Sequence, residues 1–491
     1  MKIVLLNTPF LPMYSRASRS PAVTKSSTLY YPLWLAYATG VLEKAGHEVR
    51  LIDAPAFDYS KEEVCRIIES FEPRLVVVDT TTGSIQNDLE VAAAIKARSG
   101  AFIVLVGTHA TALPEEVLEQ CPAADAVARG EYDYILKSLA EVLGRDGGLA
   151  EVYGLTYRQG GEIKTNPVMD KIEDLDEIPF VAEVYKRHLD PVIHRYFYGA
   201  NRHPVMTIVS GRGCPYKCCY CVYPQVMQGH KYRLRSVEKV VAEMVYIRET
   251  FPHVKEIFIE DDTLTVNKAR VVALCKEIIK RKLKVTWSAN SRAQADLETL
   301  KIMKKAGCRL LCVGYESGDQ KVLDALGKKL RIEEIHEFTR HAKKAGILIH
   351  GCFLVGNPGE TKDSLRMTLD MAKKLNPDTA QFYPIMVYPG TRAYHWAKSN
   401  GFLLTEDFSQ WLTPEGLHHS VVSTPEVSRE ELVAWADNAR REFYLRPAFV
   451  VAKIYQALRF PEEISRLSRG FLSLIKFIFR HEKVNECPSC K

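Results

Sequence analysis

"VMTIVSGRGCPYKCCYC", residues 205–221, runs an apolar stretch of strand character directly into a loop with four cysteines in eight positions. The chain has twelve cysteines in 491 residues, so one loop concentrates a third of them. The segments C-terminal to that loop set the fold. "KEIFIEDDT" (255–263), "KVTWSANSR" (284–292), "RLLCVGYESG" (309–318), "LIHGCFLVGNPGE" (348–360) and "TAQFYPIMVYPG" (379–390) repeat the same form, an apolar strand ending in a polar loop. Stretches of helical spacing, such as "VEKVVAEMVYIRETF" and "IEEIHEFTRHAKKAG", separate them. Six β/α units without a reversal predict a barrel-like parallel sheet over 195–400, with its chemistry at the strand C-termini.

Upstream, residues 1–150 alternate in the same way. "KIVLLNTP", "RLIDAP", "RLVVVDTTTGS", "AFIVLVGTHAT" and "ADAVARGEYD" read as strands with their loops, and amphipathic helices lie between them. Apolar strands separated by helices predict a doubly wound, Rossmann-like parallel sheet covered on both faces. Ligands of such sheets bind beyond the strand C-termini. The loops there are small, polar and glycine-rich, as a wide flat ligand needs. Residues 151–194 read as a connector, with a Gly-Gly hairpin in "GLTYRQGGEIKTN". Residues 401–491 read as helical and basic.

Composition bounds the function classes. Apolar content of 46% and charged content of 26% describe a globular chain with ample core material. The length points to roughly three structural units. The net charge of +6 resides in the tail, where residues 440–491 hold eleven Lys/Arg against five Asp/Glu. A nucleic-acid-binding body is not indicated. "MKIVLLNTPF" lacks the pattern of a signal peptide, and no apolar run approaches the roughly 18 residues that span a bilayer. A cytoplasmic protein with reduced thiols is expected, in which clustered cysteines serve metals or chemistry.

Cys214, Cys218 and Cys221 form C-x3-C-x2-C directly after the first barrel strand. An iron–sulfur cube ordinarily takes four thiolates. Three in one tight loop leave an iron open to a small chelator. Cys219 breaks the spacing and reads as a packed thiol. A zinc-stabilised binding protein, pairing Cys218 and Cys221 with Cys487 and Cys490, is the alternative, but it leaves Cys214 unexplained.

With Tyr220 before the last cysteine, this pattern resembles the radical S-adenosylmethionine (SAM) enzymes. The resemblance implies a [4Fe–4S] cluster on the three cysteines and SAM on the open iron. It also implies SAM contacts at other strand ends. Glu260, Asp261 and Asp262 would meet the amino group, and Arg292 the carboxylate unless it forms a structural salt bridge. Glu316 and Ser317 would meet the ribose, and Gly356 and Pro358 would back the adenine.

Residues 1–150, with "GTHATALPEEVL" and "AVARGEYD", resemble the cobalamin (B12)-binding domain that precedes many radical SAM barrels, and "NPDTAQFYPIMVYPGT" (376–391) in the barrel is similar to the same subfamily. The implied contacts are Thr80, Thr81, Gly83, Gly107, Thr108, His109, Gly130 and Glu131. No histidine has Asp two places before it, so the D-x-H-x-x-G motif of an axial ligand is absent. Cobalt without a protein histidine is expected. His109 then serves as a donor to a corrin side chain or as a structural residue.

The implied chemistry is radical initiation at an unactivated carbon of a hydrophobic substrate, with methyl transfer expected. Relatives on this scaffold also cyclise or rearrange. A one-electron donor such as flavodoxin or ferredoxin is the implied partner. "PAFVVAKIYQALRFPEEISRLSRGFLSLIKFIFR" mixes apolar and basic positions at helical spacing. It either lies on an anionic inner-membrane face and receives a lipid, or caps the barrel mouth. "TLYYPLWLAY" and "LIDAP" are similar to the branch that acts on hopanoid-type lipids and porphyrin esters.

Overall fold

The computed structural model describes residues 1–24, 28–459, 464 and 468. Two α/β bodies share the chain. The first sheet takes β1 (Lys2–Asn7), β2 (Glu48–Asp53), β3 (Leu75–Thr80), β4 (Phe102–Gly107), β5 (Ala126–Ala128), β6 (Leu155–Gln159) and β7 (Glu162–Thr165) in the order β2-β1-β3-β4-β5-β6-β7. The first five are parallel. Their centres, such as Ile3–Leu6 and Leu75–Val78, are fully buried, because helices cover both faces and leave no polar side. The strand order reverses at β1 and β3, the switch point where such sheets open a crevice.

The hairpin expected in the connector instead extends this sheet, since β6 pairs antiparallel with β5 and β7 with β6. β7 reads Glu-Ile-Lys-Thr and is mostly exposed, and charged residues suit an edge that must not recruit another strand.

The second sheet takes β8 (Val205–Ile208), β11 (Glu256–Ile259), β12 (Trp287–Ser291), β13 (Cys308–Glu316), β14 (Leu348–Val355) and β15 (Thr379–Pro384), and a short antiparallel pair, β9 (Gly211–Arg212) with β10 (Arg233–Leu234), lies between the first two. The order β15-β14-β13-β12-β11-β8 is wholly parallel and follows the chain, so the expected six units form an open partial barrel.

The region after residue 400 departs from the helical expectation. Residues 401–428 carry Gly401, Pro414, Gly416 and Pro425, which break helices. They form a strap with bridges Leu403↔Val422 and Leu412↔His418 and one 3-10 turn, Phe408–Trp411. Helices Arg429–Tyr444 and Pro447–Arg459 follow. The first opens with a capping box in which Ser428 Oγ accepts from the Glu431 amide and Glu431 accepts from the Ser428 amide. Its buried face presents Leu432, Ala436, Ala439 and Phe443. Tyr444 Oη accepts from the Ala380 amide and donates to the Ala380 carbonyl, both at 2.8 Å, which covers the edge of β15. The remaining tail, with Cys487 and Cys490, lies outside the described residues.

One buried ion cluster joins the two bodies. Arg212 on β9, with its side chain 1% exposed, holds Glu131 at 2.7 Å and Asp133 at 2.8 Å from the loop after β5. Arg233 on β10 reaches Glu131 at 2.8 Å, and the Arg212 guanidinium lies over the rings of Trp34 and Tyr37. Removing one partner of a buried pair strands the other charge, at about 3–5 kcal/mol. Arg212→Met is expected to lose that much stability in a denaturant titration. Lys231→Met, at the exposed Lys231–Glu173 pair, is expected to leave the transition in place. Equal shifts in the two variants would remove Arg212 from its role as the tie.

Candidate functional site

The cysteine loop is built from its backbone outward. The Ser210 amide, the Ser210 hydroxyl and the Gly211 amide all donate to Asp261, at 2.6, 2.6 and 3.1 Å. Gly213 has φ +86°, and a Cβ there would overlap the Lys231 carbonyl oxygen, so no other residue turns the loop at this point. Gln225 Nε2 donates to the carbonyls of Cys218, Cys219 and Cys221 at 3.2, 3.0 and 2.8 Å. The loop is thereby held in shape by its own hydrogen bonds.

Cys214, Cys218 and Cys221 line one cavity of about 1320 Å³, and Cys219 does not. The Cys219 backbone is used instead in bonds with Leu326 and Ala393, and its side chain is buried. Burial pushes the Cys214 thiol up to about 11 and the Cys221 thiol well above its ordinary range. Bare, these groups hold their protons; a bound cation makes them thiolates. Three convergent thiols with a fourth turned away fit a cluster with one open iron.

Among the expected SAM contacts, Tyr220, Glu260, Asp262, Arg292 and Glu316 line the same cavity. Tyr220 Oη and Lys328 Nζ donate to Glu316 Oε1 at 2.8 and 2.6 Å. Glu316 has φ +63° beside a register shift in β13, and its Oε2 is buried without a hydrogen-bond partner. A buried, unanswered carboxylate oxygen facing a cavity is a place for a ligand donor. Glu260 Oε2 and Asp262 Oδ2 are in the same condition, although Arg19 from the first body binds both residues. Burial raises Asp262.

Four expected contacts are placed elsewhere. Asp261 does not line the cavity, because its carboxylate is consumed by Ser210, Gly211 and, at 2.7 Å, Tyr232. Ser317 is fully buried and bonds Thr368 at 3.2 Å. Gly356 lies under helix Arg429–Tyr444, where a Cβ would meet Leu432 at 2.9 Å, and Pro358 lines no part of the cavity. Arg292 faces the cavity, but its guanidinium is engaged by backbone and ring instead of by an acid. It donates to the carbonyls of Lys328 and Lys329 and stacks over Tyr216 at 3.8 Å.

The strand-end loops of the first sheet are closed by their own contacts. Thr80 donates to the Val106 carbonyl at 2.7 Å, and Thr81 bonds Tyr14 at 2.9 Å. A Cβ on Gly83 would strike Leu412, and one on Gly107, at φ +101°, would overlap the Thr80 carbonyl. "THATA", which reads as loop, is the helical turn Thr108–Ala112. His109 bonds Thr82 at 3.1 Å and packs edge-on against Phe408 of the strap. Burial drives its pKa to about 3, so the ring is neutral. The Gly130 amide donates to Thr111 at 3.0 Å, and Glu131 is spent on Arg212 and Arg233. None of these eight residues lines the cavity. The first body meets it through residues in the segment 13–30, Arg19, Ser20, Val23 and Tyr30 among them.

Sequence reasoning missed Arg19, Gln225, Lys328 and Asn290, which lines the cavity and donates to Glu260 Oε1 at 3.1 Å. None belongs to a motif, and only the fold brings Arg19 to Glu260.

Family models match the Radical SAM superfamily over residues 208–372 and the B12 binding domain over residues 19–140. An uncharacterized methyltransferase of Pyrococcus horikoshii is 32% identical over 443 residues, covering 90% of this chain and 93% of that protein. The anaerobic magnesium-protoporphyrin IX monomethyl ester cyclase of Cereibacter sphaeroides is 30% identical, over 85% of this chain and 67% of its own length. In fold, the chain resembles the radical SAM methyltransferase TsrM of Kitasatospora setae, with TM-score 0.70 and 17% identity over 91% of this chain and 89% of that one. It also resembles the cobalamin-dependent SAM radical enzyme OxsB, with TM-score 0.63 and 18% identity over 89% of this chain and 60% of that one. The chain therefore belongs to the radical SAM enzymes that carry a B12-binding domain ahead of the radical SAM domain, with a [4Fe–4S] cluster, SAM and cobalamin as cofactors.

Proposed function

We propose that this enzyme transfers a methyl group to an unactivated carbon of a hydrophobic, lipid-like substrate. The observation that carries the reading is the cavity. It begins at Cys214, Cys218 and Cys221 and continues to Phe449 and Ile454 of helix Pro447–Arg459. Tyr30, Phe258, Leu310, Leu354, Phe382 and Ile385 give it an apolar wall, which binds hydrocarbon and keeps water from reactive species.

In this reading the three cysteines hold the cluster. Glu260, Asp262 and Glu316 present carboxylate oxygens to SAM, and Lys328 with Tyr220 fixes the orientation of Glu316. Cobalamin would be held between the bodies, against Arg19, Ser20 and Val23, which line the cavity, since Thr80, Thr81, His109 and Glu131 already bond within the protein. Bound together, the cofactors supply radical initiation and a methyl carrier; the chain positions them and excludes solvent. The partner is a flavodoxin- or ferredoxin-type electron donor.

Helix Pro447–Arg459 supports lipid delivery. Val451, Tyr455 and Leu458 are 65, 61 and 77% exposed, on the helix whose Phe449 and Ile454 line the cavity. No helix among the described residues is long and apolar enough to cross a membrane, so the proposed contact is peripheral. Cytoplasmic residence at the inner membrane face follows from this proposal.

Two outcomes are expected. Cys218→Ala loses the iron of the anaerobically reconstituted protein, whereas Cys219→Ala retains it with an unchanged visible spectrum; loss in both removes the assignment of Cys219 as a packing thiol. With lipid extract from a strain lacking the gene as substrate, turnover consumes two SAM, yielding one deoxyadenosine and one S-adenosylhomocysteine per product, about equal amounts by the implied chemistry. Deoxyadenosine alone identifies a cyclase or rearrangement enzyme, as the porphyrin cyclase relatives would favour. A changed water-soluble metabolite with unchanged lipids refutes the substrate class.

A further inference from the structure

Deep in the barrel, on the wall of the same cavity, β13 and β14 bring together residues that no part of the cofactor chemistry uses. Cys312 on β13 pairs in register with His350 on β14, and Cys352 stands two residues further along, so all three alternate to the lumen. The Cys312 and Cys352 sulfurs are 3.9 Å apart, and one ligand atom from each of the three residues lies within 4.8 Å of the others. Two thiolates bound at ~2.3 Å to a tetrahedral zinc stand about 3.8 Å apart. The pair is therefore spaced as zinc ligands are before any metal arrives.

The ring is also held by a neighbour on the next strand. His350 Nδ1 bonds Thr379 Oγ1 at 2.7 Å, from the neighbouring strand β15. Metal-binding imidazoles ordinarily have such a partner on the other nitrogen. Charge agrees as well, since one divalent cation with two thiolates and a neutral imidazole is electrically neutral. That unit can be buried in an apolar wall without the penalty of an isolated ion.

We propose that Cys312, His350 and Cys352 bind a zinc ion inside the barrel, with the fourth coordination position open to the cavity. Three protein ligands and an open position is the arrangement of a zinc that binds a further ligand, not of a closed structural site. The ligand class is an oxygen or nitrogen donor on the substrate, such as a hydroxyl or carboxylate. Such a donor would anchor the substrate while its hydrocarbon extends along the apolar wall. The metal site itself does not rest on the methyl-transfer reading and can be tested without turnover.

The test uses full-length protein in which Cys214, Cys218 and Cys221 are replaced by Ala, so that zinc cannot occupy the cluster cysteines. After incubation with Zn²⁺ and desalting, this variant is expected to retain about one zinc per chain. With Co²⁺ instead, it is expected to show a thiolate-to-cobalt charge-transfer band. Adding Cys312→Ser and Cys352→Ser should remove both signals. Absence of zinc and of the band in the triple variant overturns the proposal. Zinc kept after the added substitutions also overturns it, because the metal then sits elsewhere. If those substitutions impair folding, His350→Ala in the triple background decides. Loss or weakening of zinc retention supports the site, and unchanged retention overturns it.

Discussion

The arrangement of the site depends on a buried arginine. Arg212 stands two residues before the first cluster cysteine and is clamped between Glu131 and Asp133 of the other sheet. A guanidinium out of water needs counter-charges held close to it. Here two carboxylates take its terminal nitrogens and two aromatic rings flank it. The cysteine loop therefore cannot shift without breaking the contact between the bodies. This constraint places the thiols and the first body on a common cavity.

From that junction the functional geometry extends outward. Asp261 spends its charge on the backbone of the cysteine loop, and Gln225 gathers three of the loop's carbonyls. Carboxylate oxygens on Glu260, Asp262 and Glu316 remain unanswered toward the cavity. Ser210, Gly211 and Gln225 are bonded within the loop, whereas these three carboxylates each keep one buried oxygen without a partner.

Both sheets are legible in the sequence because their strands appear as largely apolar runs, those of the first sheet buried on two faces and those of the second lining a cavity on one. Cys214, Cys218 and Cys221, which line one cavity, are legible by spacing. The remainder depends on side-chain direction. The three acids at positions 260–262 alternate between cavity and frame, so Glu260 and Asp262 face in while Asp261 does not. Nothing local announces that choice. Ser317 and Gly356 do not line the cavity, and Thr368 and Leu432, both distant in sequence, stand beside them. Glu131 reads as a loop acid until Arg212 is brought against it. The strap at 401–428 reads as helix only by extension from its neighbours, and its own glycines and prolines argue against one.

The central claim is that one chain places a cluster with an open iron and a cobalamin without a protein histidine around one cavity. Electron paramagnetic resonance of protein reconstituted anaerobically with iron, sulfide and hydroxocobalamin tests it most directly. The account predicts a reduced-cluster signal that changes on adding SAM, together with a protein-bound cob(II)alamin signal free of nitrogen superhyperfine splitting. A cluster signal indifferent to SAM, a corrin lost on desalting, or nitrogen splitting in the cob(II)alamin signal would contradict it.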